Sequence, residues 1–70
     1  MEKFEKMLDG ASTPLEHRRI LSLLLETARN PETDKKIFYD FWNNKKEVIT
    51  KTLHPDIVNR YENLFQKNLK

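Results

Sequence analysis

Apolar residues recur along this chain at three- and four-residue intervals and never alternate with polar ones, which predicts helices throughout and no strands. Met1, Phe4, Met7 and Leu8 follow that spacing, and Gly10 stands where a helix cap belongs, so a first helix is expected over residues 2–9. So short a helix is stable only when packed against something else.

The next start is written more fully. Thr13-Pro14-Leu15-Glu16 reads as an N-cap, a first-turn proline and a capping-box glutamate. The helix it opens is expected over 14–29. His17, Ile20, Leu21, Leu24, Leu25 and Ala28 share one face, and Leu23 widens the apolar arc to about 200°. A one-sided surface helix needs less. This helix is therefore either central to the bundle or docked on a partner, with Leu23 and Leu25 at opposite margins.

Asn30-Pro31 marks a boundary, and Pro31 is expected to open a third helix with Glu32 and Asp34 near its positive end. Ile37, Phe38, Phe41, Trp42, Val48, Ile49 and Leu53 then keep helical spacing over 32–53. Asn43-Asn44 is a poor helix interior, and Asn44 to Glu47 resembles another capping box. The favoured expectation is one long helix with Lys45 snorkelling at the edge of its apolar arc; a break at Asn43-Asn44 is the alternative. His54-Pro55 ends the segment, because a residue before proline avoids helical geometry. A last helix over 55–69 buries Ile57, Val58, Tyr61, Leu64, Phe65 and Leu69. Its opposite side carries Asn59, Arg60, Glu62, Asn63 and Lys67. The pattern predicts one all-α domain, a small antiparallel helical bundle of three main helices plus a short N-terminal one.

Composition narrows this picture. The chain has 70 residues, 37% of them hydrophobic, enough for a single core. One Gly and three Pro leave few tight turns for a β-sandwich, and the absence of Cys excludes disulfides, thiol nucleophiles and thiolate metal sites. No apolar run approaches the roughly 18 residues of a membrane span, and no apolar N-terminal stretch suggests a signal peptide, so a cytoplasmic location away from membranes is expected.

The net charge of +2 is too small to name a partner. It is unevenly spread. Residues 1–34 carry five bases and seven acids (5 − 7 = −2), whereas residues 35–70 carry eight bases and four acids (8 − 4 = +4). Catalysis has little to work with: Ser12, Thr13, Ser22 and two histidines, with no Gly-rich turn to present them. Ser12 and Thr13 are better used as helix-cap chemistry, and no enzymatic activity is expected. His17 and His54 have no ligand partner at helical spacing, so neither metal nor cofactor is expected. His17 is expected half-buried with a backbone or carboxylate partner, and His54 as a turn residue.

Phe38, Tyr39, Phe41 and Trp42 flanked by Lys35, Lys36, Lys45 and Lys46 form the most unusual cluster. Lysines on phosphates and aromatics under bases would suit single-stranded nucleic acid. Periodicity argues otherwise, since Phe38, Phe41 and Trp42 share the face of Ile37, Val48 and Ile49, where a core needs them, and only Tyr39 turns away. The leading expectation is a non-enzymatic protein-interaction module, an adaptor or inhibitor that binds a larger protein and modulates it. Leu23, Leu25, Tyr39 and Trp42 would make its apolar contacts, and Lys45 and Lys46 its polar ones. Homodimerisation through the 14–29 helix is subordinate. The alternative is a nucleic-acid-binding regulator using Lys35, Lys36, Lys45, Lys46, Lys51 and Arg60.

Overall fold

The computed structural model describes residues 1–69 as four helices: α1 (Glu2–Asp9), α2 (Pro14–Arg29), α3 (Lys35–Thr50) and α4 (Pro55–Asn68). The fold is all-α, a small bundle with short connections. α2 is its centre and packs on each of the other three helices, most extensively on α4.

The capping box of α2 forms as its spacing predicts. The Thr13 hydroxyl accepts the Glu16 N–H at 3.2 Å, and the Glu16 carboxylate returns to the Thr13 N–H at 3.3 Å. α1 ends at Gly10 as expected, but with φ −90°, a right-handed cap and not the left-handed turn that glycine usually supplies.

α3 is shorter than the 32–53 expected from the sequence. Asn30 accepts the Glu32 N–H on its own side chain at 2.9 Å, which holds Pro31 to Thr33 in a turn. Asp34 then caps the helix by accepting the Ile37 N–H at 3.1 Å. Proline thus sits in the turn and leaves the helix start to the carboxylate. At the other end α3 stops at Thr50, while Leu53 reaches the core from the connection. Asn43-Asn44 does not break it.

One hydrophobic cluster joins all four helices. At its centre the edges of Phe38 and Trp42 meet Phe65, with ring centroids 5.1 and 5.0 Å apart at 76° and 83°. These near-perpendicular contacts set the positive ring edge against the negative face. Leu21, Leu24 and Ile49 fill the space around them, each contributing about 1.5–3 kcal/mol by leaving water. α1 supplies Phe4 and Leu8, and the Phe4 ring lies 6.0 Å from that of Phe41. Ile37 and Val48 depart from the expectation of a core position. They lie on the α3 flank that no other helix covers and remain 53% and 39% exposed.

Two histidines tie the connections down. His17 is 2% exposed, deeper than its sequence position suggests, and its partner is a hydroxyl rather than a carboxylate or carbonyl. Its Nδ1 bonds the Thr52 hydroxyl, which lies 3.2 Å from the Ile49 carbonyl. The chain of donors is complete only if Nδ1–H donates to Thr52 and Thr52 donates to Ile49. Nε2 is then a bare lone pair in the core without a partner. This leaves unmade an acceptor's bond, a lesser penalty than an orphaned N–H. His54 caps α4 with its Nδ1 accepting the Asp56 N–H at 3.1 Å. The same nitrogen lies 3.5 Å from the Asp56 carboxylate, but a lone pair engaged by an N–H cannot also carry the proton of an ion pair. The cap is therefore the contact that holds.

Candidate protein-docking surface

The residues singled out by sequence do not gather on one surface. Trp42 is 1% exposed and belongs to the core, which removes it from any docking role in the folded chain. Its indole N–H donates to Glu62 at 2.7 Å. Glu62 also receives Lys46 at 3.6 Å, so Lys46 is partly engaged within the chain. Tyr39 is half-buried beside this group. Burial first, and then the charge of Glu62, raise its phenol above the ordinary value of 10.0. Glu62 was expected on the outer side of α4. It lies instead on the margin toward α3, where it fixes how those two helices meet.

Leu23 and Leu25 are both half-buried against the core. Two positions apart on a helix they point about 160° away from each other, so one flat partner cannot cover both. Leu23 lines a groove of about 410 Å³ with Met7 and Ala11, at the junction with α1. The surplus apolar arc of α2 is thus largely absorbed within the chain: Leu23 meets the α1 junction, and both leucines pack against the core.

The lysines of the nucleic-acid alternative also disperse. Because α3 is continuous, Lys36 and Lys45 lie about 180° apart around it. Arg60 belongs to α4, on the side away from Lys46. Phe38, Phe41 and Trp42 are buried, which leaves Tyr39 alone of that cluster with any face open to a stacked base. Lys46 and Lys51 do border one cleft between α3 and α4, of about 310 Å³, but Glu47 and Glu62 border it too and cancel their charge.

A different surface carries the exposed chemistry. Leu15 is 79% exposed, more than any other large apolar side chain described. With Arg18, Arg19 and Ser22 it lines a shallow depression of about 380 Å³ on the outer face of α2. The face continues onto α4, where the Tyr61 hydroxyl lies 3.3 Å from that of Ser22 and Arg60 is the next residue in the chain. Sequence reasoning used Leu15 only as a letter inside the capping box. The signal available was an apolar residue on the polar side of the wheel, between two arginines and a serine.

Glu16 borders this region but is occupied. Its Oε1 accepts from the Thr13 hydroxyl at 2.9 Å and from the N–H groups of Ser12 and Thr13 at 3.3 Å each. The Thr13 hydroxyl contributes most, and the Ser12 N–H next, to holding its carboxyl below the ordinary 4.5.

Among the described residues no group of three His, Asp or Glu side chains could hold a metal ion, and no helix is long and apolar enough to cross a membrane. No family model, curated protein or solved structure matches this chain.

Proposed function

We propose that the chain is a small protein-interaction module, an adaptor or inhibitor, that docks on a larger protein in the cytoplasm through the outer face of α2. The observation that carries this reading is Leu15: a large aliphatic side chain 79% in water, flanked by arginines, on a bundle whose other leucines are all buried or half-buried. Folding gains little from that leucine. A partner that covered it would gain roughly 1.5–3 kcal/mol, the worth of burying such a side chain. Arginine and tyrosine beside an apolar anchor are also the residue types that carry most of the energy at interfaces.

The test is affinity capture from nuclease-treated lysate near physiological salt, with the wild-type chain and a Leu15→Asp variant side by side. Since Leu15 contributes little to the core, the variant should keep the helical circular dichroism of the wild type. A protein held in stoichiometric amount by the wild type and released by the folded variant is the expected result. Equal retention by both would remove α2 as the docking element. Retention that vanishes on nuclease treatment would favour nucleic acid instead.

A further inference from the structure

Resting on that docking surface, we propose that its occupant is an acidic amphipathic segment of the partner protein, with an apolar side chain against Leu15 and carboxylates on the surrounding arginines. The four arginines of the chain are Arg18, Arg19, Arg29 and Arg60. Arg18 and Arg19 line the depression with Leu15, Arg29 lies at the far end of α2 and Arg60 adjoins Tyr61 of α4, and all are exposed. The ion pairs among the described residues involve Lys6 and Lys46 and no arginine. The nine lysines are distributed over the rest of the molecule, and none lies on α2.

This segregation matters because the two cations differ chemically. A guanidinium is planar, weakly hydrated and able to grip both oxygens of a carboxylate, whereas an ammonium is a strongly hydrated point charge. The acids near enough to quench the face are few. Glu16 keeps its negative charge at the edge of the face, and Glu26 on α2 and Asp56 on α4 are the others, but the depression around Leu15 is lined by Arg18 and Arg19 and by no acid. The result is a cationic face with an aliphatic centre on a chain whose overall charge is only +2. An amphipathic helix with acidic flanks complements both features at once. A nucleic-acid backbone matches only the arginines, and would leave Leu15 against phosphates with no apolar cover.

The experiment titrates the full isotope-labelled chain with three probes and follows its amide resonances. The probes are a synthetic helical peptide of leucine and glutamate, a matched peptide of leucine and glutamine, and a short DNA duplex. Saturable shifts centred on Leu15, Arg18, Arg19 and Ser22 with the acidic peptide alone are expected. An Arg18→Glu, Arg19→Glu double variant should bind that peptide at least about tenfold more weakly, as loss of charge-assisted contacts requires. Equal affinity for the glutamine peptide, shifts centred on another face, no binding, or tighter binding of the duplex at the same amides would each overturn the proposal. The two levels separate in the capture experiment. A protein lost on Leu15→Asp but kept by the arginine double variant leaves the docking function standing and overturns the acidic segment.

Discussion

The two sides of α2 show two ways of using a small hydrophobic supply. Toward α4 and α3 the contacts are aromatic and closed: Phe38, Trp42 and Phe65 meet edge to face, and the indole N–H buried with them has a carboxylate partner. Toward α1 and solvent the packing is only partly closed: Phe4 and Leu8 are buried, but Leu23 and Met7 wall a groove and Leu15 stands in water. A chain of this size buries only about 60% of its unfolded surface, so it cannot close every side. Large aromatic rings on one side close the core with few residues, which frees the other side of α2 for a surface that folding does not need. Stability and binding are thereby assigned to different faces of one helix.

The largest effect should come from the closed side. Phe65 touches Phe38, Trp42 and Tyr61, so Phe65→Ala removes the ring on which three others rest. Such truncations cost about 3–5 kcal/mol, a large part of the stability of a small domain. Leu23→Ala, in the wall of an open groove, should cost under about 1 kcal/mol, because water enters and no sealed cavity forms. Denaturant midpoints of the two variants measure the difference. Equal losses would mean that the α1 side is as tightly built as the α4 side, and the division between the two faces would fail.

A smaller effect tests the polar joint of the closed side. Glu62→Gln leaves an acceptor for Trp42 but removes its charge, which should cost about 1 kcal/mol, the difference between a charged and a neutral hydrogen bond. Tyr39 provides an independent reading of the same change. Its folded-state value is raised, so its contribution to stability is complete below pH 10.0 and is lost as pH rises through the higher folded value. Removing the Glu62 charge should lower the tyrosinate titration of Tyr39 part of the way, and not the whole way, because burial is the greater cause. An unchanged titration would show that Glu62 is not the charge Tyr39 senses.

How much of this was legible in the chain depends on the distance over which each feature is decided. The Thr13–Glu16 cap was readable because both partners lie within four residues. The start of α3 was misplaced because Asn30, Pro31 and Asp34 are all start signals, and only the fold decides that Asn30 makes a turn and Asp34 the cap. Periodicity placed Trp42 on the core face, while its lysine neighbours suggested the surface; burial followed periodicity. Glu62 sits at the edge of its stripe, and no spacing rule tells which edge faces α3. Ile37 and Val48 share a face with true core residues, and their exposure depends on which flank of α3 the other helices leave uncovered. The docking face was the least legible part. Sequence reasoning looked for surplus on the apolar arc, at Leu23 and Leu25, whereas the unused leucine stands on the polar side.

An effect of comparable size is expected at the N-terminus of α2, the end that carries Leu15. Thr13→Ala removes one acceptor for the first-turn N–H groups and should cost about 1 kcal/mol. The pH dependence of that cost distinguishes a working capping box from a lone threonine cap. Glu16 has a folded value below its ordinary 4.5, so its share of stability is complete above 4.5 and disappears as pH falls through the lower folded value. Thermal unfolding of wild type and Glu16→Gln should therefore differ at neutral pH and converge as acid takes the pH below the lowered folded value. In a Thr13→Ala background the effect of Glu16→Gln should shrink even at neutral pH, because the Thr13 hydroxyl is the largest contributor to holding the carboxylate. A gap that persists unchanged into acid would assign the effect of Glu16 to helix propensity, and not to the charge that the cap stabilises.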